Sequence, residues 1–252
     1  MKSSRAHILL SFRPYLIKNI YQKFRLRGGK VRCNICGKNF NHFNKECERL
    51  NARCPECCSL ESTRTLWFYL SNEVLGKKNK NKFLYFSPEP FLLEKLKQYN
   101  IQLEERSYEY FGNLLISGFE KLPGSLYDVI IFSQLLQYVK DEQAVFSELK
   151  RLLRPGGFVI ILTLINWEME RTYEKPVTEE DRDRLHRYFE PGLERVYGAD
   201  FQKRLVKAGF GVEAIDYADQ LGSVAREYYR LGDGTREMIF KCKKSSNTTI
   251  WK

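Results

Sequence analysis

Apolar and polar positions alternate most informatively in the second half of the chain. Residues 129–132, Val-Ile-Ile-Phe, are an unbroken apolar run with β-branched side chains, which predicts a strand buried on both faces. Val145, Leu149, Leu152 and Leu153 then recur at the spacing of one buried helix face. Asp141 and Glu142 put negative charge at the start of that helix, where its dipole favours it. Pro155 cannot continue the helix, and Gly156-Gly157 permits a sharp reversal before a second apolar run at 158–164. A strand, a helix and a strand, with both strands apolar throughout, make a βαβ unit of a parallel sheet.

The rest of the chain arranges itself around that unit. An apolar run at 83–86 predicts the first strand of the sheet, followed by the turn Ser87-Pro88-Glu89-Pro90 and a helix with Phe91, Leu92, Leu93 and Leu96. A second strand and helix are expected within 99–125. The highly charged residues 170–187 read as an excursion over the carboxyl edge of the sheet, where open α/β sheets bind ligands. Asp200 opens a helix carrying Phe201, Leu205 and Ala208, with Gly209 as its C-cap. A strand at 210–217, a connection at 218–234 with one short helix, and a last strand at 237–242 complete an α/β domain over 83–244. Residues 245–252 read as a frayed tail.

Upstream, Leu16, Ile20 and Phe24 fall at four-residue steps among Lys18, Lys23, Arg25 and Arg27. They predict a basic amphipathic helix over 15–26, within a segment 1–30 that Gly28-Gly29 breaks. In the next segment, 31–76, Ser62 is placed to cap a helix through Trp67, Leu70 and Leu75. A polar, lysine-rich turn from 76 to 82 separates it from the sheet.

Charge sharpens this division. Residues 1–82 hold 18 Lys and Arg against 5 Asp and Glu, and the remaining 170 residues hold 24 against 26. The basic character therefore belongs to the N-terminal part, which suits a nucleic-acid partner, an anionic surface or simply a solvated basic face. No run of 18 apolar residues occurs, so no membrane span is expected. The apolar stretch at 7–10 is too short for a signal peptide, and the default location is cytoplasmic.

The cysteines cluster between residues 33 and 58, with Cys242 far downstream at a packed strand position. Cys33-x₂-Cys36 and Cys54-x₂-Cys57 are two knuckles separated by 17 residues. Two such pairs complete a tetrahedron of thiolates, the closed geometry of a structural zinc site in a zinc-ribbon-like segment; iron suits the same ligand set. Cys58 adjoins a ligand, and Cys47 and His42 lie in the intervening loop. Phe40, Phe43, Arg49, Arg53 and Arg64 could form an aromatic and basic surface for nucleic acid; local packing is the preferred reading.

Several of these landmarks resemble the class I S-adenosylmethionine-dependent methyltransferases of the type 11-like group. The carriers are Tyr127-Asp128-Val129-Ile130, Leu136-Gln137-Tyr138-Val139 and Arg151-Leu152-Leu153-Arg154-Pro155-Gly156-Gly157. Ser87-Pro88-Glu89 is similar to an Ala-Pro-Glu turn in a subset that also has two upstream cysteine knuckles. Thr172-Tyr173-Glu174 and Arg195-x-Tyr197-Gly198 match further landmarks.

The resemblance implies a Rossmann-like, doubly wound α/β sheet. It also implies a cofactor site for S-adenosylmethionine lined by Ser87, Pro88, Glu89, Glu109, Phe119, Ser133 and Gln134. Glu104, Glu105 and Glu109 are the candidates for the ribose carboxylate, and Tyr138 and Trp167 would wall the acceptor side. The expected activity is methyl transfer to an unnamed acceptor, small or lipid-linked. Three departures favour the alternative of a degenerate methyltransferase-like module that binds a protein or nucleic acid. The first turn lacks glycine, Gly118 or Phe119 stands where an adenine-facing Asp is usual, and Gly192-Leu193 replaces an Asp-His pair.

Overall fold

The computed structural model describes residues 26–46, 49–76, 81–86, 88–106, 122–174 and 193–244. The basic helix expected over 15–26, apart from the buried Leu26, lies outside these residues, as do Cys47, the charged stretch 175–192 and the tail 245–252.

The N-terminal part is built from two small hairpins. Strand β1 (Arg27–Arg32) pairs antiparallel with β2 (Asn39–Phe40), and β3 (Asn44–Glu46) pairs antiparallel with β4 (Arg49–Arg53). Helix α1 (Glu61–Tyr69) follows and runs into a π-helical turn, Leu70–Val74. Ser62 is not its cap. It lies buried inside the first turn, and Leu60 is the N-cap, its N–H donating to Thr63 Oγ1 at 3.3 Å.

The main sheet has six strands in the order β11-β12-β8-β7-β5-β6. These are β5 (Lys82–Phe86), β6 (Gln102–Arg106), β7 (Tyr127–Ser133), β8 (Leu153–Leu162), β11 (Phe210–Ile215) and β12 (Ile239–Lys244). Strands β5, β6, β7 and β8 are mutually parallel, whereas β12 runs antiparallel to both its neighbours. The order steps outward from β5 to β6 on one side and to β7 on the other. The crevice beyond the carboxyl ends of β5 and β7 is therefore the topological switch point.

One detail departs from the sequence expectation near the βαβ unit. Helix α3 (Glu142–Leu152) forms as expected, with Asp141 Oδ1 accepting from Ala144 N–H at 2.9 Å. It follows α2 (Pro90–Leu96) in the chain. However, Arg154 to Gly157 do not form a separate turn but belong to β8, whose register against β7 shifts between Tyr127 and Val129. Gly156 supplies a positive φ of 81° there. At Gly157 a Cβ would lie 2.8 Å from the Tyr127 carbonyl oxygen, so strand β7 can approach only a glycine.

The C-terminal boundaries also move. After α4 (Phe201–Lys207), the expected strand at 210–217 stops at Ile215. Two short helices then occupy the connection instead of one, α5 (Tyr217–Gln220) and α6 (Ser223–Tyr229). The last strand begins at Ile239, which leaves Glu237 in the preceding loop.

Alternation along the strands splits the core in two. Leu84, Phe86, Ile130, Phe132, Val159 and Ile161 face α3 and α4. On the other face, Phe83, Tyr85, Val129, Ile131, Ile160 and Leu162 share one buried cluster with α1, α2 and the knuckle cysteines Cys33, Cys54 and Cys57. The cysteine segment is thus packed on the sheet as part of its covering layer. No described helix is long and apolar enough to cross a membrane.

Candidate metal centre and the carboxyl edge of the sheet

The two knuckles are near copies of one another. Cys33 N–H donates to the Lys38 carbonyl at 3.0 Å and Gly37 N–H to the Cys33 carbonyl at 2.8 Å. Cys54 N–H donates to Ser59 at 3.0 Å and Cys58 N–H to Cys54 at 3.0 Å. Gly37 and Cys58 occupy the same place in the two turns, and both have positive φ, 74° and 59°. Cys58 therefore points outward into solvent and Cys57 inward, which resolves the choice between these neighbours.

Cys33, Cys36, Cys54 and Cys57 bring their sulfurs within 4.8 Å of one another. Cys33 and Cys57 are 3.6 Å apart, and Cys36 and Cys54 are 3.8 Å apart. A tetrahedral ion with metal–sulfur bonds of about 2.3 Å holds its sulfurs about 3.8 Å apart. The donor set and its dimensions fit such an ion. Ser59 Oγ lies 3.3 Å from Cys33 Sγ and 3.2 Å from Cys57 Sγ, where a hydroxyl can donate to thiolates. Crowding already polarises the thiols. Hydrogen bonding with Cys36 holds Cys33 far below the usual thiol range, and Cys33 in turn pushes Cys36 and Cys54 above it.

Of the five aromatic and basic candidates for a nucleic-acid surface, three are buried and two are half-buried in ion pairs. Phe40 and Phe43 are both buried and meet edge to face at 5.8 Å. Arg49 pairs with Glu61 at 2.6 Å and Arg53 pairs with Glu46. Arg64 is fully buried, with its guanidinium carbon 4.7 Å from the Phe43 ring centre. Local packing accounts for all five residues. His42 is exposed and bonds its neighbour Phe43.

Helix α1 ties the cysteine segment to the carboxyl edge through its polar residues. Thr63 Oγ1 donates to Glu89 Oε2, and Thr65 Oγ1 donates to the Leu231 carbonyl at 2.9 Å. Glu89 is the N-cap residue of α2, just past the carboxyl end of β5, and is half-buried. Burial pushes its carboxyl above the usual range, opposed by the Thr63 hydroxyl and by Arg64. Pro88 beside it is also half-buried.

At the end of β7, Ser133 is half-buried and its hydroxyl makes no hydrogen bond among the described residues. Gln134 has a left-handed φ of 56°. Its N–H donates to Leu162 at 2.7 Å and its side-chain Nε2 to the Arg236 carbonyl at 3.0 Å. Its side-chain Nε2 is thus tied to the loop before β12. Tyr138 is half-buried in a 3₁₀ turn, Leu136–Tyr138. Trp167 is 46% exposed, with Nε1 donating to the Gly234 carbonyl at 3.1 Å. Of the ribose candidates, Glu104 is drawn to Tyr127 Oη at 2.6 Å and to Arg106, while the exposed Glu105 sits one residue before the strand's end. Ser87, Glu109 and Phe119 lie outside the described residues.

The loop before β12 crosses the same edge, as Ile165 N–H donates to the Thr235 carbonyl at 3.0 Å. Inside it is an acid that sequence reasoning placed on a strand. Glu237 is 2% exposed, and its Oε2 accepts from Gly234 and Arg236 N–H at 3.1 Å each. Burial, reinforced by the Glu61 and Asp233 carboxylates, raises it to about 7. Its only sequence signal was the company of Gly232 and Gly234, both with positive φ.

Near the excursion, β9 (Tyr173–Glu174) pairs with β10 (Arg195–Val196). Buried Arg195 donates to the Leu136 carbonyl at 3.1 Å and the Lys140 carbonyl at 2.8 Å. Tyr197 Oη donates to Glu142 Oε2 at 2.9 Å, and Arg204 Nε reaches Glu142 Oε1 at 2.8 Å. Arg195 therefore ties β10 to the turn and loop before α3, and the nearby Tyr197 bonds the first residue of α3.

The strand order and the single antiparallel strand β12 define the class of fold. It is a mixed α/β sheet with class I methyltransferase topology, carrying an N-terminal cysteine cluster able to chelate a metal. A family model described as a methyltransferase domain matches residues 94–161. Similar solved structures include a SAM-dependent methyltransferase from Archaeoglobus fulgidus, at 12% identity and TM-score 0.45, covering 73% of this chain and 95% of that one. A second belongs to a complex between the Haloferax volcanii Trm112 methyltransferase activator and a methyltransferase, at 13% identity and TM-score 0.43, covering 71% and 88%. The [4+2]-cyclase SpnF is similar at 13% identity and TM-score 0.47, covering 82% and 87%. No curated protein matches the chain.

Proposed function

We propose that the chain is an S-adenosylmethionine-dependent methyltransferase with a structural zinc ion on Cys33, Cys36, Cys54 and Cys57. The observation that carries this reading is Glu89: a desolvated carboxylate just beyond the first strand of a doubly wound sheet, at its switch point. A carboxyl held above its usual range by burial gains from a cationic ligand, and an α-ammonium group supplies that charge. Ser133, whose hydroxyl makes no hydrogen bond among the described residues, ends β7 on the other side of the same crevice. S-adenosylmethionine supplies an activated methyl group when bound, so the chain needs no covalent nucleophile.

The work left to the protein is orientation and exclusion of water. Glu89 would hold the amino end of the cofactor. Trp167, fixed by its bond to Gly234, and Tyr138 would wall the acceptor side. The four thiolates leave no open position on zinc, so the ion serves architecture only.

A second reading, a binding module that has lost catalysis, is favoured by two observations. The Glu89 carboxylate already accepts from Thr63, and the Gln134 amide is committed to Arg236. Such a module would present its basic N-terminal part to a nucleic-acid or protein partner.

Calorimetric titration of zinc-loaded protein with S-adenosylmethionine and S-adenosylhomocysteine separates the two. Binding is expected, and Glu89→Gln should weaken it about tenfold or more, because an ammonium loses its ionic partner. No heat of binding from folded, zinc-loaded protein would sink the methyltransferase reading.

A further inference from the structure

Arg64 is a buried cation with no carboxylate among its described hydrogen-bond partners. It has no exposed surface, and all its described hydrogen bonds go to neutral backbone carbonyls. Nε donates to Tyr229 at 2.9 Å and Arg230 at 3.1 Å. Nη1 donates to Ser59 at 2.5 Å, and Nη2 to Ala52 at 2.9 Å and Arg230 at 2.6 Å. Burying an arginine costs several kcal/mol unless a counter-charge lies close. Arginine does not escape by losing its proton.

Ser59 joins Arg64 to the candidate metal ligands: its carbonyl accepts from Arg64 Nη1, and its Oγ lies 3.3 Å from Cys33 Sγ and 3.2 Å from Cys57 Sγ. Of the carboxyls whose field reaches Arg64, Glu61 is already engaged by Arg49, and Glu89 accepts from Thr63. Four thiolates and a divalent ion sum to a net charge of roughly −2, which needs cationic compensation in a buried site. Arg64 Nη1 bonds the very carbonyl, Ser59, that closes the second knuckle by accepting from Cys54 N–H.

We propose that Arg64 is the counter-charge of the tetrathiolate metal site and a positioning residue that locks metal occupancy to the fold around the carboxyl edge. The inference rests on the reading that the four cysteines hold a metal. On one side the guanidinium neutralises the metal–thiolate cluster. On the other it caps the carbonyl end of α6, where Arg230 adopts a left-handed φ of 52°. The residue before it, Thr63, holds Glu89, and the residue after it, Thr65, holds Leu231. Loss of the metal would leave Arg64 uncompensated and release these three attachments together.

The test uses the full chain loaded with zinc alone, and reads zinc release to a chromophoric chelator. Arg64→Met keeps much of the bulk and removes the charge; Arg64→Lys keeps the charge and loses the fork of donors. Zinc release should accelerate about tenfold or more in R64M and considerably less in R64K. Equal release from folded R64M and wild type overturns the proposal, as does R64K releasing zinc as fast as R64M.

If R64M does not fold, amide hydrogen exchange of the wild type with and without zinc decides. Protection should fall at residues 59–65 and 229–231 on zinc removal while β7 and β8 stay protected. Retained protection at 229–231, or collapse of the whole sheet at once, overturns the local clamp. A wild-type chain that takes up no metal removes the metal reading itself, an outcome visible before any variant is made.

Discussion

Glu237 offers a direct measurement of the electrostatics at the carboxyl edge. Its carboxyl is 2% exposed and raised from the usual 4.5 to about 7, by burial first and then by Glu61. Between these two values the folded state holds a proton that the unfolded chain has released. Stability therefore falls as pH rises through this window, and the contribution levels off above about pH 7. The full difference is about 3.5 kcal/mol at about 1.4 kcal/mol per pH unit.

Glu237→Gln removes the titration while keeping an oxygen that can accept from Gly234 and Arg236. Urea unfolding of zinc-loaded wild type and E237Q at matched pH values from 5 to 8 isolates the effect, because metal and other acids contribute equally to both. The variant should gain on wild type by about 2.5 kcal/mol between pH 5 and 8, most of it before pH 7. Parallel pH profiles for the two proteins would refute a buried, proton-holding Glu237.

Two further substitutions test the local geometry. Cys58→Gly should stabilise the second knuckle by about 1 kcal/mol, since Cys58 has a left-handed φ of 59° where the first knuckle has Gly37. Zinc content by mass spectrometry should not change, and a drop would make Cys58 a ligand. Gly157→Ala should cost about 2–3 kcal/mol in urea unfolding, because the new Cβ meets three backbone oxygens between 2.8 and 3.1 Å away. A cost near zero would mean that β7 and β8 are free to separate there.

The scaffold was legible because its information is periodic. Buried strands such as β7 and the apolar face of α3 announce themselves by side-chain spacing, and the paired Cys-x₂-Cys spacing fixes a ligand set. Boundaries were less legible where backbone geometry, not hydrophobicity, decides them. The Arg154 to Gly157 stretch looks like a turn, yet glycine lets β7 come close enough to extend β8 through it. Ser62 is a good capping residue by type, but tertiary packing buries it and leaves Leu60 at the cap. Glu237 was unreadable because an acid beside a strand run gives no hint that a loop will fold over it.

Helix α1 shows most plainly what residue type conceals. Its first turns read Glu-Ser-Thr-Arg-Thr, a sequence that suggests solvent, yet each of these residues is buried. Buried polar groups persist where each finds a partner, and here the partners lie on separate parts of the chain. Glu61 meets the β4 hairpin, Thr63 the turn after β5, and Arg64 and Thr65 the segment after α6. An apolar helix would cover the same sheet face at less desolvation cost, but it could slide or rotate on that face. Four directed bonds fix one position of α1, and so fix the cysteine knuckles relative to Glu89. That argues against treating the cysteine segment as a detachable binding module. Whatever occupies the carboxyl edge, its geometry on the β5 side is set from the cysteine cluster, so if the cluster holds the proposed metal, stripping it should disturb that edge even though none of the four cysteines reaches it.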